Sequence, residues 1–392
     1  MRILTFTTLY PNAAQPNHGL FVEHRLRNLI ADEGVAAKVI APVPWFPVSH
    51  PSFGRYARFA RAPHTETRHG IDIVHPRYPL VPKIGMHSAP YLLAMATYRV
   101  LQNLRSSFDF DLIDAHFFYP DGVAAVMLGA QLGKPVVVTA RGTDINLYPR
   151  YPLIRRMIQR AARHCAAMVT VCEALRTELI ELGADPTKVV TLRNGVDLEL
   201  FHPVDRQHAR AALGMTRRTL LSVGHLIDRK GHDIVIQAMS MMPDSDLVIV
   251  GSGEKDGALR RLVSELGLGE RVRFAGAVDQ VTLRDYYGAA DALVLASSRE
   301  GWANVLLEAM ACGTPVIASR IWGTPEVVRG PESGVLMRSR SPEGLVDACA
   351  SLFGRLPSRE LTRRYAEQFS WRDTSRGQVE VFESARARRI AA

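Results

Sequence analysis

Two glutamates eight residues apart, Glu300 and Glu308, have the types and spacing best suited to chemistry in this chain. Glu300 lies in a predicted turn. Glu308 lies in the predicted helix that follows, where every other residue from Val305 to Cys312 is apolar. A helix that is apolar all round is buried, and a buried carboxylate without a partner is costly. Glu308 therefore needs a partner, which is either a pair of ligand hydroxyls or a buried arginine.

The ends of this helix predict an anion site beside Glu300. Asn304 is the predicted N-cap, since its side chain can accept a hydrogen bond from an unsatisfied backbone N–H. Gly313 supplies a left-handed C-terminal stop, and Pro315 prevents continuation. The backbone N–H groups of residues 301–305 then lie at the positive end of the helix dipole, where a phosphate is stabilised.

The string from Glu300 through Glu308 to Ala-Met-Ala-Cys-Gly-Thr-Pro-Val-Ile-Ala resembles the donor-binding signature of the family 4 retaining glycosyltransferases, which have the GT-B fold. The resemblance implies a nucleotide diphosphate-sugar donor, with Glu300 at the hydroxyls of the transferred sugar and Glu308 at the ribose. A buried helix with a structural salt bridge is the alternative. The resemblance also implies donor contacts from the turn and the helix start, at Gly301, Trp302, Ala303, Asn304 and Val305.

A second basic motif follows the predicted strand at residues 220–224. The resemblance implies that Arg229 and Lys230 neutralise the donor diphosphate, whereas His225 stands where the family commonly has arginine. Two fixed cations stabilise a leaving diphosphate as its negative charge grows. The remaining donor contacts that the resemblance implies are at small residues after strands, at Gly224, Gly276 and Ala277.

The first half of the chain carries a weaker resemblance. Gly19 ends a loop that the resemblance places beside the donor phosphate. His116 ends a predicted strand, where a histidine is a good hydrogen-bond donor or proton carrier near neutral pH; the resemblance implies that it braces the sugar, and a merely packed histidine is the alternative. Arg141 replaces the histidine usual in the family and could meet a phosphate or acceptor anion. Asp144 is a predicted acceptor contact.

The elements that must position these residues predict an α/β protein. Short apolar strands alternate with helices over 392 residues, which is long for one core and suggests two domains. With the resemblance, this predicts the GT-B fold: two doubly wound, Rossmann-like domains facing each other across a cleft. We expect an acceptor-binding domain over residues 1–203 and a donor-binding domain over residues 204–371. The C-terminal helix, residues 372–392, should pack back onto the first domain.

Charge and composition bear on the partners. The net charge is +9; residues 52–105 carry eight basic and two acidic side chains, and residues 145–164 carry five arginines and no acid. Such a surface favours an anionic membrane or phosphate-bearing ligands, and a solvated basic face without a partner is the alternative. The irregular segment 42–82 could form an acceptor-binding or membrane-facing surface. No nucleic-acid-binding module is recognised, so nucleic acid is not an expected partner.

Targeting signals and metal motifs are not evident in the sequence. There is no run of eighteen apolar residues, no signal-peptide layout, and four cysteines lack metal-ligand spacing. We expect a reduced, cytoplasmic protein that can associate peripherally with the inner face of the plasma membrane. Asp109 and Asp111 mimic a metal motif of another glycosyltransferase fold but flank a predicted buried strand.

Taken together, these observations predict a metal-independent, retaining glycosyltransferase without a cofactor. It should act on a glycan or lipid-linked saccharide in the synthesis of exopolysaccharide, lipopolysaccharide or another cell-envelope glycan. The retained configuration and the metal independence are implied by the resemblance alone. A sugar-nucleotide epimerase or phosphorylase, and a non-catalytic sugar-nucleotide-binding protein of the same fold, are the alternatives.

Overall fold

The computed structural model describes residues 1–80 and 85–390 and divides the chain into two compact units. Unit 1 comprises Met1–Arg193 and Trp371–Ala392, and unit 2 comprises Asn194–Ser370. The boundary therefore lies ten residues before the predicted residue 203. Residues 194–203 belong to unit 2 because Val196 N–H donates to the Phe369 carbonyl and Arg363 bonds to the carbonyls of Leu198 and Phe201. The end of the segment 42–82 and the last two residues of the predicted helix 372–392 lie outside the described residues.

Unit 1 is built on a mostly parallel sheet. Its strands are β1 (Arg2–Phe6), β2 (Ala36–Ile40), β3 (Val43–Pro44), β4 (Thr65–Arg68), β5 (Ile71–Val74), β6 (Arg77–Tyr78), β7 (Leu112–His116), β8 (Val136–Ala140), β9 (Ala167–Thr170) and β10 (Val189–Thr191). Eight of them form one sheet in the order β10-β9-β8-β7-β1-β2-β5-β4, with only β4 antiparallel to its neighbour, and β3 pairs with β6. β7, β8 and β9 are buried along their whole length, as expected for parallel strands covered on both faces.

Helices connect the strands of unit 1. They are α1 (Leu20–Glu33), α2 (Arg55–Arg61), α3 (Ala89–Arg105), α4 (Val123–Leu132), α5 (Thr143–Asn146), α6 (Pro152–His164) and α7 (Glu173–Glu181). The pattern of α6 shows why they form: its buried residues Ile154, Ile158, Ala161 and Ala162 recur at helical spacing, which gives one face for the core.

Unit 2 repeats the same architecture. Its strands are β11 (Arg218–Val223), β12 (Ser245–Val250), β13 (Val272–Gly276), β14 (Ala292–Leu295), β15 (Val316–Ser319) and β16 (Gly334–Met337). They form a parallel sheet in the order β13-β12-β11-β14-β15-β16. Its helices are α8 (Arg206–Ala212), α9 (His232–Met239), α10 (Asp256–Glu265), α11 (Gln280–Ala289), α12 (Asn304–Ala311), α13 (Thr324–Val327), α14 (Pro342–Gly354) and α15 (Arg359–Ala366).

The final helix, α16 (Trp371–Ile390), belongs to unit 1. It packs against α1. Phe382 and Ala385 of α16 share a hydrophobic core with Leu26 and Leu29 of α1. Within the described ranges, no helix is both long enough and apolar enough to cross a bilayer.

Each sheet reverses its strand order once. The reversal lies between β1 and β7 in unit 1 and between β11 and β14 in unit 2. Open α/β sheets bind ligands beyond the carboxyl ends of their strands at such a switch point. The loops expected to bind ligands therefore follow β1 and β7 in one unit and β11 and β14 in the other.

Candidate active site

Three charged side chains converge in unit 2 beyond the carboxyl ends of β11 and β14. Nζ of Lys230 lies 2.7 Å from Oε1 of Glu300, and Nη1 of Arg229 lies 3.2 Å from Oε2 of the same carboxylate. Ser297 donates a further hydrogen bond to Oε1 at 2.8 Å. The two loops are joined directly, since the backbone N–H of Ser298 donates to the carbonyl of Arg229 at 2.8 Å. The structure thus brings the predicted diphosphate contacts, Arg229 and Lys230, together with Glu300, the predicted contact to the sugar hydroxyls.

The electrostatics of this cluster keep Glu300 ionised. Burial alone would raise the pKa of the Glu300 carboxyl, but the charges of Lys230 and Arg229 and their hydrogen bonds hold it below its ordinary value. Two cations facing one carboxylate leave a net positive charge. The side chains of Arg229 and Lys230 remain 27% and 12% exposed, so the cluster can meet an anionic ligand.

Gly224 makes room for Lys230. Its φ of +147° is rare for residues with a side chain, and a Cβ there would lie 3.3 Å from Cε of Lys230. The predicted donor contact at Gly224 thus coincides with a position where any larger residue crowds a cation. His225, which follows it, has an exposed side chain.

The carboxylate of Glu308, on α12, accepts a hydrogen bond from a tyrosine. The hydroxyl of Tyr287 donates to Oε2 of Glu308 at 2.8 Å, and no lysine or arginine in residues 1–80 and 85–390 forms an ion pair with this carboxylate. The alternative of a buried arginine partner is therefore not found in this part of the chain. Burial raises the pKa of Glu308 to about 7, although the Tyr287 hydrogen bond and the charge of Lys230 oppose the rise.

The start of α12 differs from the prediction in one respect. Asn304 does not cap this helix: Ala303 is the N-cap residue, without a side-chain hydrogen bond, and Asn304 is already helical. It is therefore one residue too far along to reach the amides that an N-cap side chain bonds. Its Oδ1 instead accepts a hydrogen bond from Asn194 at 3.2 Å. The predicted left-handed stop at Gly313 is confirmed, with φ of +79°.

Trp302 contributes a buried polar atom to this turn. Its indole Nε1 is buried without a hydrogen-bond partner in the described part of the chain, and its ring packs against Phe369 with the centroids 6.0 Å apart. An unsatisfied buried donor costs about 1–3 kcal/mol. The N–H group of Trp302 is therefore suited to an acceptor oxygen. Gly301 and Ala303, on either side, are also buried, whereas Val305 is partly exposed.

The predicted base contacts lie at the end of β13. Gly276 has φ of +75° and its carbonyl accepts a hydrogen bond from Gly251 N–H at 2.8 Å. Ala277, the next residue, is exposed. Both lie beyond the same edge of the sheet as Arg229 and Glu300, and their contact with a base stays a prediction.

In unit 1, His116 ends β7 with both ring nitrogens bonded to protein groups. Nε2 lies 3.1 Å from Oδ2 of Asp114, and Nη2 of Arg141 lies 2.6 Å from Nδ1. Burial lowers the pKa of His116 to about 4, and Arg141 lowers it further while Asp114 opposes the shift. His116 is therefore neutral at pH 7, donating from Nε2 and accepting at Nδ1. The predicted contact between His116 and a sugar stays a prediction.

Asp144 bonds to backbone groups of unit 1. It is fully buried, and its oxygens accept hydrogen bonds from the backbone N–H groups of Phe118, Arg141 and Gly142 at 2.6–3.1 Å. Burial raises the pKa of its carboxyl despite these bonds. Asp144 thus holds its own loop to the one that follows β7, and its contact with an acceptor stays a prediction.

Gly19 is required by the backbone. With φ of +73°, a Cβ at this position would lie 2.3 Å from the carbonyl oxygen of Leu9. The loop after β1 is held from the other side by Asp121, which accepts hydrogen bonds from Thr7 and Thr8. Gly19 thus shapes the switch-point loop, and its contact with a phosphate stays a prediction.

Sequence reasoning missed Tyr287, Arg25, Asp114 and Gln378, which bond to predicted site residues or their neighbours. Arg25 donates from Nε to Oε1 of Gln378 at 2.7 Å, and Nε2 of Gln378 donates to Oδ2 of Asp114 at 3.1 Å. Asp114 had a detectable signal, since a charged residue inside an otherwise apolar strand needs a partner. The others carry no local signal in the sequence.

Comparison with known proteins identifies two matching family models. The model described as glycosyl transferases group 1 matches residues 204–369, and the model described as glycosyltransferase family 4 matches residues 76–200. The first range contains the Arg229–Lys230–Glu300 cluster, and the second contains His116 and Arg141.

Individual relatives agree with these matches. The Bacillus subtilis protein TuaC, named as a teichuronic acid biosynthesis glycosyltransferase, is 29% identical over 356 residues, covering 89% of this chain and 88% of that protein. The D-inositol 3-phosphate glycosyltransferase of Mycobacterium tuberculosis is 36% identical over 207 residues, covering 49% of this chain and 43% of that protein.

Solved structures confirm the predicted fold. Sucrose-phosphate synthase from Thermosynechococcus elongatus matches with a TM-score of 0.78 at 20% identity, over 97% of this chain and 98% of that one. HepE of Anabaena, solved with UDP-glucose, matches with a TM-score of 0.74 at 20% identity, over 98% of this chain and 99% of that one. The α/β fold with two Rossmann-like units of the GT-B class is therefore established.

Proposed function

This chain belongs to the group 1 glycosyltransferases of family 4, and we propose that unit 2 binds a nucleotide diphosphate-sugar from which the sugar is transferred to an acceptor hydroxyl. The observation that carries this proposal is the convergence of Arg229 and Lys230 on Glu300 at the switch point of the unit 2 sheet. Two cations there can hold a diphosphate. The adjacent carboxylate can orient the hydroxyls of a sugar.

Each group has a part in the proposed reaction. Lys230 and Arg229 neutralise the diphosphate as the bond to the sugar breaks, with the N–H groups at the start of α12 contributing positive potential. Glu300 accepts hydrogen bonds from sugar hydroxyls, and fixed geometry of this kind lowers the barrier to transfer. The departing phosphate takes the proton from the acceptor hydroxyl on the same face of the sugar, so that the anomeric configuration is retained without a metal ion.

Glu308 is proposed to bind the ribose. Its carboxylate is partly buried on an otherwise apolar helix and bonds to Tyr287 through Oε2, which leaves Oε1 as an acceptor for a ribose hydroxyl. Burial raises the pKa of this carboxyl, and a ribose hydroxyl would supply a further hydrogen bond to its ionised form. Tyr287 fixes the orientation of the carboxylate.

A panel of nucleoside diphosphate sugars tests the donor site. We expect at least one to raise the melting temperature of the protein, since a ligand that binds only the folded state stabilises it. Lys230→Met should weaken that binding about ten- to a hundredfold, because a hydrogen bond to a charged group contributes about 1.5–3 kcal/mol. The matched control is Lys134→Met, which breaks a surface pair with Asp109 in unit 1. Folded protein that binds none of the sugars would contradict the proposal.

The stereochemistry and the metal requirement have their own tests. NMR of the product should show the anomeric configuration of the donor sugar. Turnover should persist after dialysis against EDTA. Inversion would refute the same-face mechanism while leaving glycosyl transfer intact, and recovery of an isomerised donor in place of a transfer product would favour an epimerase.

The proposed acceptor is a growing glycan or lipid-linked saccharide of the cell envelope. The support is the likeness to TuaC, which extends over most of both chains and whose name refers to teichuronic acid biosynthesis. A basic unit 1 suits an anionic acceptor. Chromatographic detection of a lengthened product with envelope saccharides, and not with free monosaccharides, would support this class.

We further propose that the exposed face of α6 binds an anionic membrane surface. Arg156, Arg160 and Arg163 are exposed and spaced i, i+4, i+7, so that they share one face of the helix. Tyr151 and Leu153, at its start, are also exposed, and such side chains insert at the boundary between headgroups and acyl chains. Exposed arginines combined with apolar anchors favour a membrane over a solvated face.

Vesicle sedimentation tests this surface. Each basic residue near an anionic surface contributes about 1 kcal/mol, so changing the three arginines of α6 to glutamine should weaken binding to phosphatidylglycerol vesicles about a hundredfold at low salt. Phosphatidylcholine vesicles should bind neither protein. Equal binding to both kinds of vesicle would overturn the proposal. The control replaces three exposed arginines of unit 2, Arg261, Arg355 and Arg364, with glutamine.

A further inference from the structure

A chain of buried hydrogen bonds runs through unit 1 from α1 to the end of β8. Arg25 donates from Nε to Oε1 of Gln378 at 2.7 Å, and Gln378 donates from Nε2 to Oδ2 of Asp114 at 3.1 Å. The same Asp114 oxygen lies 3.1 Å from Nε2 of His116, whose Nδ1 lies 2.6 Å from Nη2 of Arg141. Four of the five side chains are about 1% exposed, and Arg141 is 9% exposed.

Gln378 is the one residue in this series of hydrogen bonds that comes from the C-terminal helix α16. Its side-chain amide can bond to both Arg25 and Asp114. Arginine only donates hydrogen bonds, and an ionised carboxylate only accepts them. A glutamine amide offers an acceptor oxygen to Arg25 and a donor N–H to Asp114 at the same time. A glutamate would set a second carboxylate against Asp114, and a methionine of similar size would satisfy neither partner.

The hydrogen bonds of Gln378 determine the tautomer of His116. Asp114, held by Gln378, accepts from Nε2 of His116, so the proton of the neutral ring lies on that nitrogen. Nδ1 then presents a lone pair to the guanidinium of Arg141. Burial and the neighbouring arginine both oppose a second proton on the ring, so the pair remains a neutral acceptor and a cationic donor.

We propose that Gln378 is a positioning residue: through Asp114 it fixes the tautomer of His116, which in turn orients the guanidinium of Arg141 toward an anionic oxygen of the substrate. Arg141 follows β8, beside the switch point, and is the most exposed member of the chain of bonds. His116 thus acts through Arg141. The assignment of a substrate rests on the proposed function, whereas the tautomer of His116 does not.

Nitrogen NMR of histidine-labelled protein tests the first step. The resonance of His116, assigned by its loss in His116→Phe, should show an unprotonated Nδ1 and a protonated Nε2 from pH 6 to pH 8. Gln378→Glu and Gln378→Met should both lose this single signature. Ser375→Ala is the matched control, since Ser375 is buried one turn earlier on α16 and bonds to Asp32 of α1 at 2.7 Å. It should keep the signature.

Kinetics test the second step, with the donor that the nucleotide-sugar panel identifies. Both Gln378 variants should lower kcat about ten- to a hundredfold, the range expected when a contacting group is misplaced by about 1 Å, with the donor affinity unchanged within about twofold. Ser375→Ala should change neither. A wild-type His116 protonated on Nδ1 or on both nitrogens would overturn the proposal without any variant. A Gln378 variant with an altered His116 tautomer and an unchanged kcat would also overturn the proposal. If no nucleotide sugar is turned over, the proposed function fails and the NMR result still decides the tautomer.

Discussion

Replacing Glu308 by glutamine should stabilise the ligand-free protein at alkaline pH. Burial raises the pKa of this carboxyl from 4.5 to about 7, which corresponds to about 3 kcal/mol of unfavourable free energy in the ionised state. A carboxyl whose pKa is raised by folding favours the folded state fully below pH 4.5, and that contribution is lost as the pH rises through 7. Glutamine stays neutral and can still accept the hydrogen bond from Tyr287.

The same substitution should remove a pH dependence from donor binding. If only the ionised carboxylate binds the ribose, about a tenth of the wild-type protein is competent at pH 6 and about nine tenths at pH 8, so the affinity should rise about tenfold. Glu308→Gln should bind more weakly and with no such rise. The nucleotide sugar that the panel identifies is the suitable probe because its phosphates are both esterified, whereas the terminal phosphate of a free nucleoside diphosphate titrates near neutral pH.

Two measurements test the predicted stability and donor binding of Glu308→Gln. Denaturant unfolding of the full chain at pH 5 and pH 8 should show a stability difference between wild type and Glu308→Gln of up to about 3 kcal/mol at pH 8, shrinking at pH 5. Calorimetric titration with the nucleotide sugar that the panel identifies gives the affinities. Equal stability of the two proteins at pH 8 would refute the argument from burial, and a wild-type affinity that does not change with pH would refute the need for a carboxylate. Glu265→Gln, at an exposed site on α10, should alter neither quantity.

Three further substitutions test individual features. Gly224→Ala should displace Lys230 and weaken binding of the identified nucleotide sugar about tenfold. Gly267→Ala, at a left-handed glycine facing open space, should leave that binding unchanged. Calorimetry compares the two variants, and equal affinities would contradict the argument that a Cβ at residue 224 crowds Lys230. Trp302→Phe keeps an aromatic ring and removes the buried N–H, so it should weaken donor binding by about 1 kcal/mol, and an unchanged dissociation constant would show that no ligand oxygen meets this group. Asp144→Ala leaves three backbone N–H groups without their acceptor and should destabilise the protein by about 3 kcal/mol in denaturant unfolding, where wild-type stability would rule out the structural role.

Much of unit 2 could be predicted because its signals are local. The string from Glu300 to Gly313 contains a turn, a helix and its stop in consecutive residues, and the structure has each of them. The pairing of Lys230 with Glu300 joins residues seventy positions apart, yet each lies after a strand at a switch point. The prediction of Asn304 as the N-cap was wrong because α12 begins one residue earlier than predicted. A shift of one residue is enough to change which side chain reaches the first amides.

Unit 1 was less predictable because its polar contacts join distant residues. Arg25 and Gln378 are 353 positions apart, and Gln378 and Asp114 are 264 apart. Nothing in the local sequence of α16 distinguishes Gln378 from a solvent-facing glutamine. The same limitation affected Asp144, whose bond to the backbone N–H of Phe118, 26 residues away, could not be predicted from the local sequence. A buried polar side chain can be recognised from a sequence, but its partner generally cannot.

The geometry around Glu300 suggests how donor binding and catalysis are coupled. In the ligand-free protein, Glu300 neutralises part of the charge of Arg229 and Lys230 and so keeps two cations close together at little electrostatic cost. On the proposed function, a bound diphosphate would compete for those cations and release carboxylate oxygens to accept hydrogen bonds from the sugar. The cations are then already in place when negative charge develops on the leaving group, and no reorganisation is needed at that moment. On this argument, Glu300→Gln should hold nucleoside diphosphate at least as tightly as wild type while turning over more slowly, and a loss of diphosphate affinity would show that the carboxylate is needed chiefly to hold the cations.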